Sequence, residues 1–352
     1  MLTPAQVAAL PDAIVAVVHA LDTSLAVQGA KYAVDLYADR ARLVALGSGF
    51  QREVADTVAT AVRTAVKDAT AAPEALYAAA ETAGKLGPYA PLADSVAVRA
   101  IVGVAVTRAQ AEARAIVSRA VEARAGNVWA SIEAASVRAA SGAITREEAV
   151  LQAVRAIGEQ ATAFTYGGRV VELESAVRQS IGTLCHRTAV DAMASRMGEV
   201  GVEQVYVSQH FGARPEHAVW QGQVYGYPDE LEEMTGYPSD DLGLAGINCR
   251  HSFTAYIDGV SPEPPATIDE DANAAVYAAT QEQRRIERTL RGYKRREAVS
   301  AEAARLAPDN PLLAKQHAKD RDLVATWNRR AADNAKAFDL TRRRASENPI
   351  VK

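Results

Sequence analysis

The sequence predicts a mainly α-helical protein with a small loop-rich α+β region in its middle. Up to about residue 160, alanine, valine, arginine and glutamate dominate, and apolar residues recur at steps of three and four. That is the spacing of one helix face. Residues 210–265 are instead dense in glycine, proline, tyrosine and histidine, as in loops that carry site residues. After Asp269 a helical pattern returns, now rich in charge.

The composition limits what the protein can bind. The 352 residues are 49% hydrophobic and 6% aromatic, which is enough to bury a sizeable core. Lysine and arginine total 39 against 43 acidic residues, for a net charge of −4. Such a chain does not coat nucleic acid along its whole surface, so any DNA contact must be local.

Cysteine usage and the N-terminus indicate a protein made in a reducing cytoplasm. Cys185 and Cys249 are the two cysteines of the sequence, and they cannot form a disulfide framework. The N-terminus lacks the basic region of a secretory signal, and no run approaches the roughly 18 consecutive apolar residues of a membrane-spanning helix. We expect no cleaved signal and no membrane partner.

The N-terminal domain, residues 1–165, is predicted to be a helical bundle. The opening Thr3-Pro4 pair fits an N-cap followed by proline at the first helical position. Residues 95–137 form a long alanine-rich segment, and small residues permit close packing of helices. Thr145 and Glu148 have the spacing of a capping box, which predicts that another helix begins there.

The central domain, residues 166–265, is predicted to mix helix, strand and loop. Residues 166–169 carry two glycines and read as a turn, and residues 170–197 then follow a helical pattern. Residues 202–208 are β-branched and aromatic, which predicts a strand. The loops from His210 onward carry the unusual motifs.

The C-terminal region, residues 266–352, is predicted to consist of basic helices. One helix runs from Asp269 to about Arg305, and a second from about Leu312 to Arg344. Residues 281–297 contain seven basic and three acidic groups, a local balance of 7 − 3 = +4. A second basic cluster is Arg342-Arg343-Arg344.

Two strings in the central domain are the most informative part of the sequence. The first is Ser208-Gln-His210-Phe-Gly-Ala-Arg214-Pro215-Glu-His217-Ala-Val-Trp220-Gln221-Gly222. The second is Gly243-Leu-Ala-Gly246-Ile-Asn248-Cys249-Arg250-His251. With these strings in this order the sequence resembles the phage minor capsid protein 2 family, minor head proteins of tailed bacteriophages. The resemblance extends through residues 166–178 and 277–295, and ends near residue 298.

The resemblance implies a structural role and no enzymatic one. A member of this family would enter the head during assembly, lie at or near the portal vertex or inner capsid surface, and act in head morphogenesis or in DNA packaging and ejection. Its partners would be the portal protein, the major capsid protein or both, and it would need no cofactor. The tail after Ser300 lies outside the resemblance and has no assigned role.

The central motif residues admit two structural interpretations. In the first, Arg214, His217, Gln221, Asn248 and His251 hydrogen-bond the loop backbone around an apolar Trp220, and the glycines at 212, 222, 243 and 246 supply turns with positive φ. We favour this network, in which His210, Cys249 and Arg250 are further motif members and no metal is bound. In the second, the donors of a tetrahedral zinc site are His210, His217, Cys249 and His251. Their spacing is not that of a common zinc knuckle.

An enzymatic alternative rests on the same four residues. They could form the centre of a zinc- or cysteine-dependent hydrolase or nuclease. Glu216 beside His217 does not complete a metalloprotease motif, because no second histidine follows four residues later. We therefore predict no catalytic residues.

The basic helix offers one candidate DNA or partner surface. At helical spacing one continuous stripe contains Arg284, Arg288, Arg291 and Arg295. A solvated charged face explains such a stripe equally well. In a phage particle packaged DNA is close, which favours phosphate contact.

Overall fold

The computed structural model describes residues 2–340 and confirms a mainly α fold. The helices are α1 (Pro4–Ala9), α2 (Asp12–Asp35), α3 (Arg40–Ala71), α4 (Glu74–Thr82), α5 (Val96–Ala140), α6 (Arg146–Glu159), α7 (Leu173–Val177), α8 (Thr183–Val200), α9 (Pro215–Ala218), α10 (Asp229–Thr235), α11 (Glu270–Leu306) and α12 (Pro311–Ala337). A 3₁₀ turn covers Leu92–Asp94, and a π-helical segment covers Arg178–Gly182. The strands are β1 (Ala163–Tyr166), β2 (Arg169–Glu172), β3 (Gln204–Val207), β4 (Val224–Gly226) and β5 (Phe253–Tyr256).

The described chain forms two compact units, each assembled from separate stretches of sequence. Unit 1 contains the residues up to Pro11, Ala55–Glu112 and Val177–Thr280, and unit 2 contains Asp12–Val54, Ala113–Ala176 and the residues from Gln281 onward. These units differ from the three contiguous domains expected at 1–165, 166–265 and 266–352. Three of their boundaries fall within the long helices α3, α5 and α11, where the sequence composition does not change.

Unit 1 is built around a three-stranded antiparallel sheet in the order β4-β3-β5. The strand predicted at residues 202–208 is confirmed as β3, whose Val205 and Val207 point into the core. Helix α8 packs against β5, and its Met193 and Met197 belong to the same core. The buried Arg196 of α8 donates two hydrogen bonds to the Glu74 carboxylate, at 2.8 and 3.0 Å.

Unit 2 is a helical assembly with one short hairpin. Helix α2 packs against α6, and the fully buried Arg124 of α5 donates to the carbonyls of Ile157 and Gln160 at 2.8 Å each. Arg124 therefore pairs carbonyls that the C-terminus of α6 leaves without helical partners. Strands β1 and β2 pair around the turn expected at residues 166–169.

Two capping predictions are confirmed, and one helix prediction is wrong. Thr3 caps α1 and Thr145 caps α6, each in a capping box. The helix expected from Val170 begins instead at Leu173, because residues 169–172 pair with β1. The predicted helix after Asp269 is α11. Helix α12 begins one residue before Leu312, and Arg342-Arg343-Arg344 lie outside the described residues.

One segment, Pro4–Asp35, is long and apolar enough to cross a membrane by length and composition alone. Pro11, Asp12 and Asp22 interrupt the apolar residues of this segment. More than half of its most apolar part is buried inside the protein. This burial is the behaviour of a core helix.

Candidate functional site

Strand pairing brings the two central motifs together in unit 1. Strand β3 ends at Val207, directly before the first motif, and β5 begins at Phe253, directly after the second. Val207 and Phe253 are partners in the antiparallel β3–β5 pair. The pairing continues beyond the strands, where Ser208 N–H donates to the Ser252 carbonyl at 2.8 Å. The residues following β3 and those preceding β5 must therefore lie side by side.

The motifs meet in a buried cluster of two histidines and a cysteine. Donor atoms of His217, Cys249 and His251 all lie within 4.8 Å of one another, and all three residues are buried. Trp220 closes one side, with its ring centroid 4.6 Å from that of His217 and 4.8 Å from that of His251. The His210 ring stacks on His251 at 4.4 Å. The expected Trp220 plug is thus in contact with the cluster.

Gln221 determines the protonation pattern of His251. Its side-chain oxygen Oε1 accepts the backbone N–H of His210 at 3.0 Å, which orients the amide. The same Oε1 lies 3.0 Å from His251 Nε2, so Nε2 carries the proton. Burial, together with repulsion from other histidines, lowers the pKa of His251 well below its usual value, and the ring is neutral at pH 7. Its Nδ1 lone pair therefore lies 3.7 Å from Cys249 Sγ.

The other two histidines also have an oxygen acceptor beside one ring nitrogen. His210 Nδ1 is 2.9 Å from the Phe211 carbonyl, and its Nε2 is buried without a hydrogen-bond partner. His217 Nε2 is 2.9 Å from the Leu242 carbonyl and 2.7 Å from Arg214 Nη2. His217 Nε2 can donate to that carbonyl or accept from Arg214, but not both. Burial lowers the pKa of both histidines.

Cys249 is a neutral thiol at pH 7 because it is buried. Burial raises its pKa to about 11, although hydrogen bonds from the backbone act in the opposite direction. One of these is the His251 N–H, which lies 3.3 Å from Sγ. A nucleophilic cysteine needs a lowered pKa and access to solvent, so this environment is unlike that of an activated thiol.

The remaining predicted motif residues shape the loop more than they join the cluster. Asn248 is exposed and adopts a φ of +57°, a left-handed conformation that asparagine tolerates better than most residues. Arg250 is half-buried. Positive φ is found at Gly212 and Gly222.

For the other two glycines the expected role is wrong. Gly243 and Gly246 are not among the residues with positive φ. They are needed because a Cβ there would overlap the carbonyl oxygens of Thr235 and Asp241, respectively.

Two buried polar residues of unit 1 were not identified from the sequence, and one of them, Asn273, supports this region. Asn273 of α11 accepts the Ala213 N–H at 2.9 Å and donates to the Ala213 carbonyl at 3.1 Å, which anchors the first motif. His186 of α8 is buried with both ring nitrogens unpartnered, and burial lowers its pKa to about 4. Single polar residues in a helical pattern give no sequence signal for such contacts.

Only part of the four-arginine stripe of α11 is exposed. In unit 2, Arg291 Nε lies 2.6 Å from the Glu174 carboxylate, and Arg295 Nη1 lies 3.2 Å from the Asp22 carboxylate. The two arginines and the two carboxylates of these pairs are each less than a fifth exposed. These two arginines form buried ion pairs, so the expectation that they face DNA is wrong. Arg288 is exposed and Arg284 is half-buried.

Comparison with known proteins defines the class. The sequence model of the phage minor capsid protein 2 family matches residues 37–330, which is most of the chain. The protein is therefore of the class of bacteriophage structural proteins, components of the virion. The chain belongs to the phage minor capsid protein 2 family.

A more distant relative agrees with this class. A "Structural protein" of Lactococcus phage LL-H is 27% identical over 182 residues, which are 47% of this chain and 48% of the relative. The chain thus spans about half the length of the curated relative it matches. No solved structure matches the chain.

Proposed function

We propose that the protein is a structural component of the phage head, located at or near the portal vertex or the inner capsid surface. There it acts in head morphogenesis and in DNA packaging or ejection. The family match over residues 37–330 is the observation that carries the structural role. The description of the family as minor capsid proteins favours a unique vertex or the inner surface over the icosahedral shell itself.

The geometry of the cluster favours a structural role over a catalytic one. The Cys249 thiol is neutral because burial raises its pKa to about 11, and His251 Nε2 is already engaged by Gln221. Neither group is positioned as an exposed nucleophile or base. These contacts favour a structural protein over the hydrolase or nuclease alternative centred on His210, His217, Cys249 and His251.

Helix α5 offers a surface for another head protein. An exposed, uncharged stripe at helical spacing consists of Val96, Ala100, Gly103, Val104, Thr107 and Ala111. Val96 is 71% exposed and Val104 is 72% exposed. Exposed apolar residues that line up on one face are typical of contact surfaces. We assign this stripe to contact with the portal protein or the major capsid protein.

Replacing Val104 with glutamate tests the contact. The charge would be buried against the partner, so we expect Val104→Glu to fold normally but to be absent from assembled heads. Val170, which is 77% exposed and lies in β2, provides the matched control. Incorporation of Val104→Glu at the same level as Val170→Glu would exclude the stripe as the contact.

Cryo-electron microscopy of the particle without imposed icosahedral symmetry tests the location. We expect density for the chain at the portal vertex or on the inner capsid surface. Density confined to the tail, or repeated across the outer lattice, would contradict the proposal.

DNA contact is proposed only for the part of the basic helix that faces solvent. Arg288 supports it because it is exposed, and the half-buried Arg284 lies one turn before it. The cluster at residues 342–344 belongs to the same proposal on sequence grounds alone. Such a contact would be electrostatic and independent of DNA sequence.

A further inference from the structure

We propose that His210, His217, Cys249 and His251 bind one zinc ion that stabilises unit 1. The proposal concerns the folding of this unit and does not depend on where the protein lies in the particle. It rests on the orientation of three imidazoles, the distances between donor atoms, and one buried nitrogen without a partner.

Each imidazole has an oxygen acceptor at one nitrogen, which leaves the other nitrogen able to bind a metal. The acceptors are the Gln221 amide for His251, the Phe211 carbonyl for His210 and the Leu242 carbonyl for His217. Metal-binding histidines almost always donate their second N–H to such an oxygen. For His217 this selects the tautomer that donates to Leu242. Arg214 Nη2, which lies 2.7 Å from Nε2, must then move away from that nitrogen and can keep its own donation to the Leu242 carbonyl, now at 3.2 Å.

The distance between the best-defined pair fits a shared zinc ion. In a tetrahedral site with Zn–S of about 2.3 Å and Zn–N of about 2.0–2.1 Å, the sulfur and nitrogen lie about 3.6 Å apart. Cys249 Sγ and His251 Nδ1 are 3.7 Å apart. A donor atom of His217 lies within 4.8 Å of both. Small side-chain movements would bring all three to bonding distance.

His210 supplies the fourth ligand. Its Nε2 is buried and has no hydrogen-bond partner, an arrangement that costs free energy unless the lone pair is used. The ring stacks on His251. His210 is not one of the three residues whose donor atoms lie within 4.8 Å of one another, so its ring must move towards them when zinc binds. Four protein ligands make a closed, structural site, and one thiolate with three imidazoles is a donor set that suits zinc.

Zinc binding changes the protonation of the cysteine. The thiol loses its proton to solvent as the Zn–S bond forms, so one proton is released for each zinc bound to a neutral site. The three histidines bind as neutral rings and release none. Trp220 packs against two of them and shields the ligands from water.

Metal analysis and cobalt substitution of the full chain test the proposal. We expect the purified protein, stripped with a chelator, reloaded with Zn²⁺ and passed through gel filtration, to retain about one zinc per chain. Loading with Co²⁺ should produce a thiolate-to-cobalt charge-transfer band and the visible spectrum of a tetrahedral ion. The melting temperature should rise when Zn²⁺ is restored.

Variants identify the ligands. Cys249→Ser should abolish the charge-transfer band and zinc retention, whereas Cys185→Ser should keep both, since Cys185 is also buried in unit 1 but lies outside the cluster. His210→Gln should weaken zinc binding at least tenfold while the thiolate band persists. His186→Gln is the corresponding histidine control.

Two results would overturn the proposal. One is a folded wild-type chain that retains no zinc and gives no thiolate–cobalt band. The other is a Cys249→Ser protein that holds as much zinc as the wild type. If Cys249→Ser does not fold, the wild-type cobalt spectrum decides, because a thiolate band can arise only from Cys249 or Cys185, and Cys185→Ser separates the two.

Discussion

Gln221 Oε1 and His251 Nε2 are 3.0 Å apart, and this one hydrogen bond decides which nitrogen of His251 faces Cys249. The glutamine cannot rotate to present its amide nitrogen, because Oε1 also accepts the backbone N–H of His210. A residue of the first motif thus orients a residue of the second. Both interpretations of the cluster, hydrogen-bonded network and metal site, need this contact.

Replacing Gln221 with methionine should destabilise unit 1. The backbone N–H of His210 and the ring N–H of His251 would lose their acceptor, and each unsatisfied buried group costs about 1–3 kcal/mol of unfolding free energy. Loss of this support should also lower zinc affinity about 10- to 100-fold. Urea denaturation and zinc titration measure the two effects. The control is Gln223→Met, at an exposed position, and equal stability of the two variants would refute the role of Gln221.

Trp220→Ala should cost about 3–5 kcal/mol of unfolding free energy, the usual range for a buried aromatic residue. Trp220 is 4% exposed and contacts two histidines of the cluster. Denaturant unfolding measures the loss. Trp129→Ala, at a position 43% exposed, should change stability far less. If Trp220→Ala gives the same unfolding curve as the wild-type protein, the indole does not stabilise the fold and instead contacts a partner protein.

The protein should lose stability as the pH falls from about 6.5 towards 4. Burial lowers the pKa of His186 from 6.5 to about 4, so between these values the unfolded chain binds a proton that the folded chain does not. Stability from the neutral ring is fully present above pH 6.5 and is lost as pH falls, by about 3 kcal/mol in all.

The His186→Leu variant isolates this contribution. Both ring nitrogens of His186 are unpartnered, so leucine removes the titration without removing a hydrogen bond. Urea denaturation of the metal-free proteins at pH 7.5 and at pH 5 should show a smaller loss for the variant. Identical pH dependence in the two proteins would show that His186 is not responsible.

DNA binding, if the exposed part of α11 provides it, should be weak and strongly salt-dependent. Arg288→Gln should reduce the magnitude of the slope of log affinity against log salt by about 0.9, the effect of one phosphate contact. Fluorescence anisotropy at several salt concentrations measures the slope. Arg305→Gln, at an exposed position paired with Glu302 on the same helix, is the control. Equal slopes for the two variants would assign Arg288 to solvent or to a protein partner.

Arg291→Gln and Arg295→Gln should behave differently from Arg288→Gln. Each removes one partner of a buried ion pair, which typically costs about 3–5 kcal/mol. We expect reduced unfolding free energy from both, measured by urea denaturation. Normal stability together with lost DNA binding would contradict the buried ion pairs and restore the four-arginine surface.

The sequence by itself determined the features that depend on residues close together in the chain. The capping box of Thr145 and Glu148 and the strand β3 were predicted because their hydrogen bonds or side-chain alternation lie within a few residues. The family resemblance was likewise legible in two short strings. Local interactions and contiguous motifs leave a pattern in the sequence that can be read directly.

The tertiary structure alone decided which distant groups meet. Residues 170–172 became a strand because β1 was available to pair with them. Arg295 does not lie on the expected DNA surface, because it pairs with the buried carboxylate of Asp22, which is far away in the sequence. Contacts of this kind depend on how helices pack, and no spacing within one segment encodes them. For the same reason, the tautomer of His251 follows from the position of Gln221 and not from the motif that contains His251.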